Sequence, residues 1–111
     1  MEIRTEATNG VVVIALAGDL RIDDYGSVEL EVRDLIANGA RHLVFDLADC
    51  EMLSSQGLGI LLGATKRVRR VNGDVKVVNA NERIMNLFRL TNVDTVIGIY
   101  PTVESAVESF S

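Results

Sequence analysis

The sequence has 111 residues, 48% of them hydrophobic, and eleven basic against sixteen acidic side chains give a net charge of −5. A chain of this length and hydrophobic content can build one domain with its own core, which excludes a largely disordered protein. The acidic balance argues against direct nucleic-acid binding, and no apolar run approaches the ~20 residues needed for membrane insertion. One cysteine and no secretory N-terminus favour the cytoplasm.

The hydrophobic pattern predicts strands and helices in alternation after an initial pair of strands. Asn9 and Gly10, a strong turn signal, join two strand-like segments and so predict an N-terminal β-hairpin. Asparagine–glycine pairs close the first two helices, and we interpret the cations near the end of the second as a solvated helix face. The predicted strands are residues 2–8, 11–17, 42–47, 74–79 and 96–100, and the predicted helices begin near Asp23 or Asp24, Ser55, Glu82 and Pro101.

This order of elements predicts the fold class. A hairpin followed by β-α-β units implies right-handed crossovers and a mixed sheet that is mostly parallel. No repeat, linker or low-complexity segment divides the chain. We therefore expect a single α/β domain over residues 1–111, with about five strands and about four helices.

The segment between the central strand and the second helix carries the main candidate for chemistry. It ends in Ser54 and Ser55, which open an apolar helix that contains several glycines. A serine at this place can cap the helix, because the first amide groups of a helix have no partner inside it. A phosphate there would meet the positive end of the helix dipole. The residue types alone leave two interpretations open, a structural cap and a phosphorylation switch.

Catalytic and cofactor sites find little support in the residue pattern. A serine hydrolase would need Gly-x-Ser-x-Gly around Ser55 and a base nearby, but that motif is absent and the only histidine, His42, begins a strand. Gly57 and Gly59 lack the spacing of a dinucleotide-binding loop. Cys50 is interpreted as a buried packing residue, and one histidine with one cysteine makes no metal-ligand cluster. We expect no enzyme activity, cofactor or metal.

Three segments together resemble the STAS domain, and among its members the bacterial anti-sigma factor antagonists. They are residues 13–20 (VIALAGDL), 43–49 (LVFDLAD) and 53–62 (LSSQGLGILL), and the pattern at 73–79 and 84–91 extends the resemblance over nearly the whole chain. The resemblance implies an unphosphorylated protein that binds an anti-sigma factor, often also a serine kinase, and thereby frees a sigma factor. Phosphorylation of a serine at the start of the helix after the central strand ends binding, and a serine phosphatase restores it.

When the family motif is aligned with this sequence without gaps, the resemblance implies a role for each of the following residues. Ser55 takes the switch position, and Ser54 is an alternative acceptor that stands where the best-characterised members have aspartate. Gln56 stands where serine, threonine or alanine is usual. The partner surface implied by the resemblance comprises Gly18, Asp19, Ser54, Ser55, Gln56, Gly57 and Gly59.

A second class of function stays open beside this one. A STAS module without kinase control could be a scaffold in a larger signalling assembly or a soluble partner of a lipid-transport complex. It would use the same helix face, so the residues that we single out are the same for both classes.

Overall fold

A five-stranded sheet organises the chain in the computed structural model, which describes residues 2–18 and 25–110. The strands are β1 (Glu2–Thr8), β2 (Val11–Ala17), β3 (His42–Asp46), β4 (Asp74–Val78) and β5 (Gly98–Tyr100), and the helices are α1 (Tyr25–Ala37), α2 (Ser55–Arg69), α3 (Glu82–Leu90) and α4 (Val103–Glu108). A 3₁₀ turn at Val93–Thr95 precedes β5. The predicted start of α1 at Asp23 or Asp24 lies outside the described residues, as does Asp19.

The strands lie in the order β1-β2-β3-β4-β5, with β1 antiparallel to β2 and every other neighbouring pair parallel. Asn9 and Gly10 join β1 to β2 with φ values of 51° and 78°. These positive angles belong to the tight hairpin turns whose twist matches that of the flanking strands. The turn pairs Thr8 with Val11 in the ladder. The predicted hairpin and the mixed, mostly parallel sheet are both confirmed.

Helices cover both faces of the sheet, which explains why the central strand is apolar without interruption. Phe45 in β3 packs into the larger core, which the sheet forms with α1, α2 and α3. Its neighbour Val44 packs on the other face against Ala106 of α4, and all three side chains are fully buried. A strand buried on both faces loses the usual alternation of polar and apolar residues. Within the described part of the chain, no helix is long and apolar enough to cross a membrane.

Two predicted helix boundaries were slightly wrong. Helix α2 ends before Asn72, so Val71 stays exposed and does not continue the buried stripe of the helix. Helix α4 begins only after Thr102, whose hydroxyl oxygen accepts a hydrogen bond from the amide of Ser105. Pro101 therefore precedes the cap and does not form the first turn. The described elements otherwise form the single α/β domain, with five strands and four helices, that the sequence predicts.

Candidate functional site

The loop between β3 and α2 lies at the carboxyl edge of the parallel strands, and hydrogen bonds hold it from both sides. The carboxylate of Asp46, which ends β3, accepts hydrogen bonds of 3.0 Å from the amide of Ala48 and from the side-chain amide of Asn79. On the other side, the amide of Gly18 donates to the carbonyl oxygen of Asp49 at 3.0 Å. The loop is thus fixed to the ends of β2 and β4.

A second asparagine holds the loop further along. The side-chain oxygen of Asn81 accepts a hydrogen bond of 2.9 Å from the amide of Ile84 and so caps α3, while its nitrogen donates to the carbonyl oxygen of Glu51 at 3.0 Å. Beneath the loop, Cys50 is buried and its thiol lies 3.1 Å from the carbonyl oxygen of Met52. The interpretation of Cys50 as a buried packing residue is confirmed.

The two serines at the start of α2 have different surroundings. Ser54 is the N-cap: its φ of −81° and ψ of 170° are extended, and its hydroxyl oxygen accepts a hydrogen bond of 3.1 Å from the amide of Gly57. Ser55 is the first residue of the helix, and its side chain is exposed. Its hydroxyl makes no hydrogen bond within residues 2–18 and 25–110. The Ser54 hydroxyl is therefore engaged in the helix cap, whereas the Ser55 hydroxyl is accessible.

The other residues of the expected partner surface lie around this point or one turn along the helix. Gly18, exposed and at a φ of 97°, is held against the loop by its hydrogen bond to Asp49. Gln56 is exposed, but Gly57 is buried and its amide is used by the cap, so it presents little surface to a partner. Gly59 is half-buried on the next turn of α2. The partner surface therefore stays a prediction. Asp19, its remaining member, lies outside the described residues.

Within residues 2–18 and 25–110, the surroundings of Ser55 contain no arrangement for nucleophilic catalysis. His42 begins β3, whereas Ser55 follows the carboxyl end of that strand, and the His42 ring stacks on Phe110 with ring centroids 4.6 Å apart. Among the described side chains, no group of three histidine, cysteine, aspartate or glutamate residues could hold a metal ion. The first turn of α2 carries no acidic side chain. The chemical group that this site presents is the Ser55 hydroxyl, at the positive end of the α2 dipole.

The opposite end of α2 is tied to β4 and to the segment before β5. The guanidinium of Arg69 donates to the carbonyl oxygen of Val96 at 2.6 Å and to the carboxylate of Asp74 at 3.1 and 3.2 Å. Burial raises the pKa of Asp74, but the hydrogen bond from the Val75 amide and the charges of Lys76 and Arg69 outweigh it. The pKa of Asp74 therefore lies below its ordinary value, and its carboxylate holds this corner of the domain together.

Sequence reasoning missed Asn79 and Asn81. Asn81 comes immediately before a predicted helix, and asparagine at that place is a common N-cap, so its role at α3 could have been found. Asn79 adopts a φ of 60°, in the left-handed region where asparagine is enriched. Their hydrogen-bond partners, Asp46 at the end of β3 and Glu51 in the β3–α2 loop, lie 33 and 30 residues away in the chain, and no local pattern indicates them.

Comparison with known proteins agrees with this architecture. The family model of the STAS domain matches residues 2–106. A protein of Thermotoga neapolitana that is provisionally named an anti-sigma factor antagonist is 30% identical over 99 residues, which cover 88% of each chain. The family-model match over residues 2–106 includes the β3–α2 loop and both serines.

Two solved structures extend the comparison to the fold. The crystal structure of an anti-sigma factor antagonist from Mycobacterium paratuberculosis has a TM-score of 0.88 at 26% identity, covering 97% of this chain and 92% of that one. A Bacillus cell fate determinant, solved in its phosphorylated form, has a TM-score of 0.76 at 22% identity, covering 99% and 100%. The similarity to the Bacillus protein shows a shared fold and nothing more. The family resemblance of the sequence is confirmed, and the chain belongs to the STAS domain family.

Proposed function

We propose that this protein is an anti-sigma factor antagonist whose binding is controlled by phosphorylation of Ser55. When unphosphorylated it binds an anti-sigma factor that is also a serine kinase, and a sigma factor is freed. Phosphorylation ends binding, and a serine phosphatase restores it. Membership of the STAS family and the names of the relatives support this class of function. The observation that carries the choice of residue is the difference between the two serines at the start of α2.

Ser55 is the better phosphate acceptor of the two. Its side chain is exposed and its hydroxyl has no hydrogen-bond partner in the part of the chain that the structure describes. For Ser54 to be phosphorylated, its hydroxyl would have to give up the hydrogen bond from the Gly57 amide. A helix cap of this kind stabilises the folded state by about 1 kcal/mol. A kinase can therefore phosphorylate the Ser55 hydroxyl without first breaking the hydrogen bond that caps α2.

The position of Ser55 explains how a phosphate could end binding without unfolding the domain. A phosphate brings a charge of about −1.5 to −2, which the N-terminus of a helix stabilises and which no acidic side chain in the first turn of α2 opposes. In a protein interface the same group must lose its hydration, and it repels acidic partner groups. A hundredfold loss of affinity needs only ~2.8 kcal/mol, which one such phosphate can supply.

In this proposal the chain acts by binding and not by catalysis. Residues 1–111 form one binding domain that works in the cytoplasm, where sigma factors act. The separation of Ser55 from His42 by the length of β3 supports a role without a catalytic base. The proposed partner surface comprises Gly18, the first turns of α2 and Asp19, of which Asp19 lies outside the described residues.

Calorimetric titration with purified anti-sigma factors encoded near this gene tests the proposal. We expect the wild type to bind one of them and Ser55→Asp to bind it at least about a hundredfold more weakly, by the charge argument above. Ser109→Asp is the control for added charge, because it adds the same charge after α4, on the other face of the sheet, and should bind as the wild type does. Since it also removes the hydrogen bond from the Ser109 hydroxyl to the carbonyl oxygen of Ala106, circular dichroism checks that this variant is folded.

Mass spectrometry identifies the acceptor. After incubation with the partner kinase and ATP, we expect one phosphate on the wild type and on Ser54→Ala, and none on Ser55→Ala. Equal affinities of the wild type and Ser55→Asp, with both proteins folded, would contradict the switch. Binding to a neighbouring transporter subunit, with no affinity for any anti-sigma factor, would favour the alternative STAS module without kinase control.

A further inference from the structure

A groove runs along the outer side of α2, between this helix and the segment before β5, and we call it the α2 groove. It has a volume of about 710 Å³. Its apolar wall consists of Gly59, Leu62 and Gly63 on α2 and of Val96, which is 42% exposed. Thr65 also lines it, but its hydroxyl donates to a carbonyl oxygen of the preceding turn at 2.8 Å. The described residues thus leave a concave apolar surface open beside α2.

No backbone angle or close contact among the described residues requires a glycine at position 63. It lies in the interior of α2, where glycine destabilises a helix relative to alanine because it loses more backbone freedom. A Cβ atom built at this position meets no atom within 4 Å in the described part of the chain, so a larger residue would be accommodated. The missing side chain keeps the groove open and lets another backbone approach α2 closely.

One end of the α2 groove is lined by basic side chains. Lys66 and Arg70 line it and are exposed, and no described carboxylate lies within ion-pair distance of either. Arg69, also in the lining, is already bound to Asp74 and to the carbonyl oxygen of Val96. In a chain with a net charge of −5, two exposed cations without an ion-pair partner among the described residues favour an occupant with acidic residues at the same end of the groove.

We propose that the α2 groove docks an amphipathic helix of the anti-sigma factor, and this inference rests on the proposed function. Small and apolar residues of that helix pack on Gly59, Gly63 and Val96, and its acidic residues lie beside Lys66 and Arg70. The stretch from residue 59 to residue 70 is about 16 Å long, enough for three turns of a packed helix. Apolar anchors with a charged flank are the usual basis of helix-in-groove recognition.

The proposal also connects the groove with the switch serine. Ser55 precedes Gly59 by four residues, and Gly63 follows by four, so the three lie on one side of α2. A phosphate on Ser55 would thus stand at the opposite end of the same helix face from Lys66 and Arg70. There it would occupy the space of the docked helix and would have to lose its hydration, which gives the loss of binding a specific cause.

Titration calorimetry with the anti-sigma factor that binds the wild type tests the groove. We expect Gly63→Leu, which fills it, and the double variant Lys66→Glu/Arg70→Glu, which reverses its charge, each to lower affinity at least about tenfold. Arg83→Glu is the control, because Arg83 is exposed on α3 and has no ion pair within the described residues, and it should bind as the wild type does.

Two further measurements separate docking from a loss of structure. Gly63→Ala should raise Tm, because alanine is the better helix former, and still weaken binding. Added NaCl should weaken the wild-type complex more than that of the double variant, since salt screens the charges at the end of the groove.

Each failure has its own pattern. If no anti-sigma factor binds the wild type, the proposed function and the groove inference both fail. If the wild type binds, Ser55→Asp does not, and the groove variants bind as tightly as the wild type, the proposed function stands and the groove inference is wrong. Self-association of the wild type that Gly63→Leu abolishes, together with unchanged partner binding, would assign the groove to a second copy of this chain and overturn the proposal.

Discussion

The side-chain amide of Asn81 donates a hydrogen bond of 3.0 Å to the carbonyl oxygen of Glu51, and its oxygen accepts one of 2.9 Å from the amide of Ile84. One side chain therefore caps α3 and also holds the loop that leads into α2. Because this loop positions Ser54 and Ser55, the start of α3 and the candidate site at the start of α2 are structurally coupled.

Two variants of Asn81 separate these roles. Asn81→Ala removes both hydrogen bonds and should lower the free energy of unfolding by about 1–2 kcal/mol, as measured by urea denaturation. Asn81→Asp keeps an acceptor for the Ile84 amide but cannot donate to Glu51, so it should lose less stability. In Asn81→Asp the amides of residues 49–53 should nevertheless exchange hydrogen faster than in the wild type, and unchanged exchange there would contradict the coupling.

Alanine substitution should distinguish the two serines by stability. Ser54→Ala removes the oxygen that caps the Gly57 amide, and we expect it to lower the free energy of unfolding by about 1 kcal/mol. Ser55→Ala removes an exposed hydroxyl and should stay within about 0.5 kcal/mol of the wild type. Chemical denaturation followed by circular dichroism measures both, and equal effects would show that the cap is not specific to Ser54.

The lowered pKa of Asp74 predicts a pH-dependent contribution to stability. Its carboxylate is stabilised in the folded state by the Val75 amide, Lys76 and Arg69, so its contribution is fully present at neutral pH. That contribution is lost as the pH falls below the ordinary carboxyl range of about 4 and through the folded-state pKa. The stability difference between the wild type and Asp74→Asn should therefore shrink on acidification from pH 7.

Urea denaturation at a series of pH values measures this difference. Arg69→Ala removes one of the stabilising charges, so a second comparison, Arg69→Ala against Arg69→Ala/Asp74→Asn, should show a weaker pH dependence than the first. A difference between the wild type and Asp74→Asn that stays constant down to low pH would refute the assignment.

Two apolar residues of α3 test how this helix is held on the sheet. Phe88 is fully buried in the main core, whereas Leu90 is 83% exposed. Phe88→Ala should lower the free energy of unfolding by about 3–5 kcal/mol, because it leaves a cavity, while Leu90→Ala should change it by less than about 0.5 kcal/mol. Thermal and urea unfolding measure both variants, and a small loss in Phe88→Ala would mean that α3 contributes little to the core.

Some elements could be predicted closely because their signals are local. The hairpin turn at Asn9 and Gly10 and the start of α2 at Ser55 both depend on residue types within a few positions. The last strand was harder to predict: residues 96–100 read as one strand, yet β5 begins at Gly98. Val96 stays outside it, partly exposed, with its carbonyl oxygen bound by Arg69 from a different helix.

The sequence by itself determined the order of elements, the class of sheet, the family and the pair of serines at the head of α2. Turn residues, hydrophobic periodicity and short motifs are properties of neighbouring positions, so a single chain displays them. Only the tertiary structure decided that the Ser54 hydroxyl is engaged while the Ser55 hydroxyl is accessible, and that distant asparagines hold the loop. It also decided that α2 and Val96 enclose a groove, because such features depend on contacts between residues far apart in the chain.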